Sequence, residues 1–154
     1  MASRMASLKM VGAAMALLLL LSSAAICEGG QLFLNVYVDG TPGKALVVGN
    51  VDDISGLAFL DNSDKIYEDN CQLYAVCDSL IEKDGDGWML SFPASGDFNE
   101  YHAVFFVSGG FALQKINCTE GLELLSTAYN GSIVLDVQGF DLTDPAVSFS
   151  YAAS

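Results

Sequence analysis

Residues 32–38 read LFLNVYV. Leu32, Leu34, Val36 and Val38 recur with period two, and Phe33, Asn35 and Tyr37 occupy the alternate positions. That alternation is the signature of a strand with one buried face. The Asp39-Gly40-Thr41-Pro42-Gly43 segment that follows is a turn signal, after which Ala45 to Val48 resumes an apolar run. Gly56 to Leu60 reads as a further short strand, closed by the polar Asp61-Asn62-Ser63-Asp64.

The alternation then gives way to a different period. Leu73, Val76, Cys77, Leu80 and Ile81 stand at i, i+3, i+4, i+7 and i+8, the stripe of an amphipathic helix. Asp69 or Asn70 can cap its start, so the spacing predicts one short helix over 71–82. Beyond it, Trp88 to Phe92, Tyr101 to Val107 and Phe111 to Ile116 are rich in aromatic and β-branched residues, with Ser108-Gly109-Gly110 placed as a hairpin loop. Leu122 to Ser126, Ser132 to Val137 and Ala146 to Tyr151 bring the expectation to about eight or nine short strands. The fold class is therefore mainly β, an antiparallel β-sandwich or barrel with one short helix.

Upstream of this domain the sequence has the three-part form of a signal peptide. Arg4 and Lys9 supply the positive start, Val11 to Leu21 the apolar run, and Ser22-Ser23-Ala24-Ala25 the small residues at which cleavage occurs. The expected boundaries are a signal over 1–25, with a cut as late as Cys27, and one secreted domain over 26–154. The apolar run is about half the roughly 20 residues that a membrane span requires.

Signal removal changes the charge balance. All 19 acidic residues lie at or after Glu28, while only Lys44, Lys65, Lys83 and Lys115 remain on the basic side, for a net charge of about −15 without a single arginine. A chain of this kind has no basic patch to displace counterions from phosphate and no guanidinium to clasp carboxylate or phosphate. Nucleic acid is excluded as a partner, and adhesion to an anionic membrane after cleavage is disfavoured.

An oxidising route makes disulfides the default for Cys27, Cys71, Cys77 and Cys118. A 71–77 bridge is disfavoured if that stretch is helical, since six residues span about 9 Å in a helix and the Cα limit for a bridge is about 7 Å. If cleavage falls after Cys27, three cysteines remain. Asn117-Cys118-Thr119 and Asn130-Gly131-Ser132 are glycosylation sequons, and Asn-Gly places Asn130 in an exposed turn.

Candidate chemistry is sparse. Asp84 and Asp86 in Asp84-Gly85-Asp86-Gly87 form an acidic turn that offers carboxylates to Ca²⁺, although its spacing does not meet the EF-hand pattern. Asp52-Asp53 and Asp61/Asp64 are comparable acidic turns. His102 is the single histidine, with no Gly-x-Ser-x-Gly elbow to supply a serine partner, and it cannot by itself build a multi-histidine zinc centre. No cofactor motif is present. Trp88, with the tyrosines, offers ring faces for stacking on sugars, against the ordinary alternative of a core position. The sequence thus points to a non-catalytic extracellular binding or surface protein, disulfide-containing and N-glycosylated, with a carbohydrate or protein ligand. The alternative is a small secreted hydrolase working through paired carboxylates.

Overall fold

A computed structural model describes residues 30–38 and 43–154. Residues 1–29 and 39–42, on which the expected signal peptide, Cys27 and the expected turn after Val38 fall, lie outside the described residues. The described residues form eleven strands: β1 (Gln31–Val38), β2 (Ala45–Val51), β3 (Lys65–Asp69), β4 (Gln72–Cys77), β5 (Ile81–Asp84), β6 (Gly87–Pro93), β7 (Asp97–Val107), β8 (Phe111–Cys118), β9 (Glu123–Tyr129), β10 (Ser132–Thr143) and β11 (Ala146–Ala153). Seven of them make one sheet in the order β3-β4-β2-β1-β7-β10-β9, and four make a second in the order β5-β6-β11-β8.

The two sheets stack as a sandwich. The period-two face of β1 supplies Leu32, Leu34, Val36 and Val38 to the core, all buried. Phe105 of β7 lies edge-on to Phe92 of β6 and to Phe149 of β11, each at 5.4 Å between centroids. One ring therefore ties the large sheet to two strands of the small one, in the edge-to-face geometry that aromatic quadrupoles favour. Among the described residues each sheet keeps two free edges, the arrangement of a sandwich and not of a closed barrel. The β1–β7 pair is parallel, and the other pairs among the described strands are antiparallel.

The helix expected over 71–82 is not formed. Gln72–Cys77 is a strand, followed by a turn and by the strand Ile81–Asp84. Leu73 and Cys77 satisfy a helical period and a strand period equally, because four residues is close to one helical turn and also an even number. Ala75 decides between them: with Leu73 and Cys77 it is buried on one face, while Tyr74 is exposed on the other. Asn70 and Cys71 both have left-handed φ, at 48° and 64°. That is the two-residue turn that twists correctly into a β-hairpin, and it joins β3 to β4. β4 then pairs with β2 on its other side, so tertiary pairing overrides local period.

Two smaller expectations also change. Gly56 to Leu60 is not a strand but part of two 3₁₀ turns, Ile54–Gly56 and Ala58–Leu60, which push Leu57, Phe59 and Leu60 into the core. Ser108-Gly109-Gly110 does not close a hairpin, because β7 lies in the large sheet and β8 in the small one. It carries the chain from one layer to the other.

Tyr101 is fully buried and meets Phe98 edge-on at 6.0 Å. Its hydroxyl has no hydrogen-bond partner among the described residues, and burial pushes its pKa well above the usual phenol range. An unsatisfied buried hydroxyl costs free energy that a phenyl ring does not. Tyr101→Phe is therefore expected to leave the fold intact and raise its stability by about 1 kcal/mol, read as a higher denaturant midpoint at unchanged slope. A clear loss of stability would show that the hydroxyl is satisfied in solution.

Candidate functional site

The larger sheet has a second face that no other layer of the described residues covers, and strand register builds it tier by tier. Residues directly opposite one another across strands share a face. The first tier runs Val76, Leu46, Tyr37, Phe106 and Val134, on β4, β2, β1, β7 and β10 in turn. At about 4.8 Å between strands, these five apolar side chains span roughly 19 Å. Tyr37 and Phe106 stack at 4.8 Å with 10° between their planes. They floor a groove of about 780 Å³, whose rim carries Lys44, Ser108, Tyr129, Asn130 and Ser132.

Beside the apolar tier lie two mixed ones. Tyr74, Val48, Asn35, Val104, Asp136 and Leu125 form the second, and Gln72, Asn50, Phe33, His102, Gln138 and Glu123 the third. Two shallower hollows open on these tiers, one of about 390 Å³ at Val48, Asn50, Gln72 and Tyr74 and one of about 140 Å³ at Glu123, Leu125, Asp136 and Gln138. The uncovered face is thus an aromatic and aliphatic band flanked by amide and carboxylate side chains.

His102 belongs to this face. Its Nε2 lies 2.8 Å from Oδ1 of Asp136, and Phe33 meets the imidazole edge-on at 6.3 Å. Its lateral neighbours in register are Phe33 and Gln138, neither of which bears a hydroxyl or thiol. A His–Asp pair thus lies on the sheet surface between Phe33 and Gln138 in register. At the rim, Lys44 Nζ bonds Oδ2 of Asp64 at 2.7 Å. That hydrogen bond and the carboxylate charge raise the lysine pKa and favour its ammonium form.

The other sequence-selected residues lie elsewhere. Trp88 is on β6 of the small sheet, half-buried against the core, with Lys83 Nζ 4.5 Å from its ring centroid. Asp84 and Asp86 belong to the exposed turn between β5 and β6, where Gly85 supplies the left-handed φ of 57°. Among the described residues no three His, Cys, Asp or Glu side chains gather to hold a metal ion.

Asp52 and Asp53 line a separate hollow of about 360 Å³ with Asp97, and each of these carboxylates has a local partner. Asp52 accepts from the Gln31 amide at 2.8 Å, Asp53 from the Ser55 amide at 2.8 Å, and Asp97 from the Thr143 hydroxyl at 2.6 Å. The Ser55 hydrogen bonds lower the Asp53 pKa, the opposite of what a general acid in glycoside hydrolysis needs.

Cys71 is disulfide-bonded, whereas Cys77 and Cys118 are free. Burial pushes both free thiols up in pKa, which suppresses the thiolate that nucleophilic chemistry requires. Asn117 is exposed on β8, and the Thr119 hydroxyl of its sequon donates to the Ala146 carbonyl and accepts from the Ala146 amide. Asn130 is exposed with φ of 49° in the two-residue turn between β9 and β10.

Sequence reading did not find the grooved face. Tyr37 and Phe106 sit 69 positions apart, and their stacking depends on a parallel pairing that no local pattern announces. The available signal was the character of the alternate positions: Phe33 and Tyr37 on β1, with Val104 and Phe106 on β7, are apolar on a face that an ordinary one-sided strand leaves polar. The chain matches no family model, no curated protein and no solved structure.

Proposed function

We propose that this chain is a secreted, non-catalytic binding module that holds a neutral glycan chain on the uncovered face of its seven-stranded sheet. The observation that carries the reading is the Tyr37–Phe106 stack flooring a groove of about 780 Å³ beside tiers of amide and carboxylate side chains. Sugar recognition requires this combination: ring faces and aliphatic groups for the apolar C–H surface, and fixed polar groups for the hydroxyls. Asn35, Asn50, Gln72, Gln138 and Asp136 supply donors and acceptors along the second and third tiers. The strong negative charge and the absence of arginine after residue 25 disfavour sulfated or uronic acid polymers by repulsion.

Secretion also bears on the covalent structure. With Cys77 and Cys118 free, the sequence leaves Cys27 as the partner of the bridged Cys71. Register supports the reach. The Val51 amide bonds the Cys71 carbonyl at 2.8 Å, and Leu32 pairs with Val51, so the start of β1 lies two strand spacings, about 10 Å, from Cys71. The four residues from Cys27 to Gln31 extend up to about 13 Å. A bridge of this kind requires the signal to end before residue 27, as cleavage after Ala25 would do. N-glycans at Asn117 and Asn130 complete the proposed secreted form.

Tyr37→Ala tests the ligand face. Once a neutral oligosaccharide ligand has been found on a glycan array, the variant is expected to bind it at least about tenfold more weakly by calorimetry, with thermal stability little changed, because stacked rings contribute on the order of 1 kcal/mol beyond their buried area. A matched change at Trp88 should leave affinity unchanged. Retained binding in Tyr37→Ala would place the ligand elsewhere.

A further inference from the structure

Among the described residues the sandwich has four free strand edges: β3 and β9 in the large sheet, β5 and β8 in the small one. An edge strand presents unpaired amides and carbonyls, and folded proteins protect such edges with charge, proline or bulges. Three of the four are protected in this way. β3 reads KIYED and β5 reads IEKD, each with both signs of charge. β8 reads FALQKINC, with Lys115 near its middle and the Asn117 sequon beside it. β9 reads ELLSTAY. Its one charge, Glu123, stands at its first residue, and it contains no lysine, proline or glycine. Leu125 and Tyr129 are 63% and 72% exposed.

We infer that β9 is a dimerisation edge, at which two copies of this chain pair their β9 strands antiparallel about a two-fold axis through Ser126. The sequence of β9 is self-complementary in that register. Glu123 of one copy falls opposite Tyr129 of the other, Leu125 opposite Thr127, and Leu124 opposite Ala128, with the two Ser126 residues meeting at the axis. No charge faces a like charge, and the pairs Leu124–Ala128 and Leu125–Thr127 set an aliphatic side chain against a smaller one. The arrangement is closed and isologous, so it stops at a dimer. It joins two seven-stranded sheets into one continuous sheet and places the two grooves, each rimmed by Tyr129, on the same surface.

Each copy carries a large negative charge, so long-range repulsion opposes the dimer and salt screens it. Sedimentation equilibrium on the full secreted chain is expected to show a monomer–dimer equilibrium whose dimer tightens as sodium chloride is raised. Leu125→Lys and, separately, Thr127→Lys introduce the missing charge at exposed positions. Each should weaken the dimer at least about tenfold while leaving the circular dichroism spectrum and the melting temperature of the monomer unchanged. Ala112→Lys on the β8 edge should leave the dimer intact. The proposal is overturned by a monomer at every concentration and salt, by a dimer that persists unchanged in both β9 variants, or by a dimer that Ala112→Lys disrupts as strongly. An edge that instead takes an extended segment of another protein would give the first of these outcomes.

Discussion

Phe105→Ala is expected to remove about 3–5 kcal/mol of stability, the usual cost of deleting a buried phenyl ring and leaving its cavity. The ring is fully buried and contacts Phe92 and Phe149 edge-on from the opposite sheet, so its loss removes aromatic pairing as well as buried area. For a domain of this size the melting temperature should fall by about 10–20 °C. Phe106→Ala, one position along the same strand, is the informative comparison. Its ring points to the uncovered face and stacks on Tyr37, so it should cost only about 1 kcal/mol while impairing ligand capture. Equal losses for the two would contradict the assignment of faces along β7.

Gly49→Ala has the second large expected effect. Gly49 lies in β2 opposite Leu34 of β1 and has φ of 155°. A Cβ at this position would stand 2.0 Å from the Phe33 carbonyl oxygen and 3.0 Å from the Leu34 Cα. Both are backbone atoms of a central strand, so relief requires separating β1 from β2 and weakening a ladder that also underlies the groove. A loss of about 3 kcal/mol or more is expected, measured by chemical denaturation. Gly109→Ala provides the control, because a Cβ there meets its nearest atom, the Gly131 carbonyl oxygen, at an ordinary 3.4 Å and should change stability by less than about 0.5 kcal/mol.

These two substitutions also show where sequence patterns stop. That Leu32, Leu34, Val36 and Val38 face a core follows from their alternation, because side chains on a strand point to opposite sides in turn. Phe105 was legible in the same sense, as an apolar member of a β-rich run. Its role in linking the sheets was not, because Phe92 and Phe149 come from strands far apart in the chain. Gly49 carries no local mark of its importance. Only the approach of the Phe33 carbonyl makes a side chain intolerable there.

The candidate site was legible only in fragments. Of the aromatic residues offered for stacking, Tyr37 and Tyr129 line the groove, whereas Trp88 lies half-buried on the other sheet. The acidic turns were visible at once, and the structure ties Asp52 and Asp53 of one of them to the Gln31 and Ser55 backbone amides. The Asp53–Ser55 bond, two residues along the chain, is the local kind that favours aspartate in turns, and it gives that carboxylate a role without any ligand.

The sequence by itself determined a β-rich chain, the buried face of β1 and the strand character of most of the region from Trp88 to Tyr151. Those properties depend on residue type and on a period of two, which act over a few positions. The tertiary structure alone decided that 72–77 and 81–84 are strands, that β1 and β7 run parallel, and that five distant side chains form one groove. In each case the local pattern was compatible with more than one answer. The choice was made by which neighbouring strand supplied hydrogen-bond partners and which face the second sheet covered.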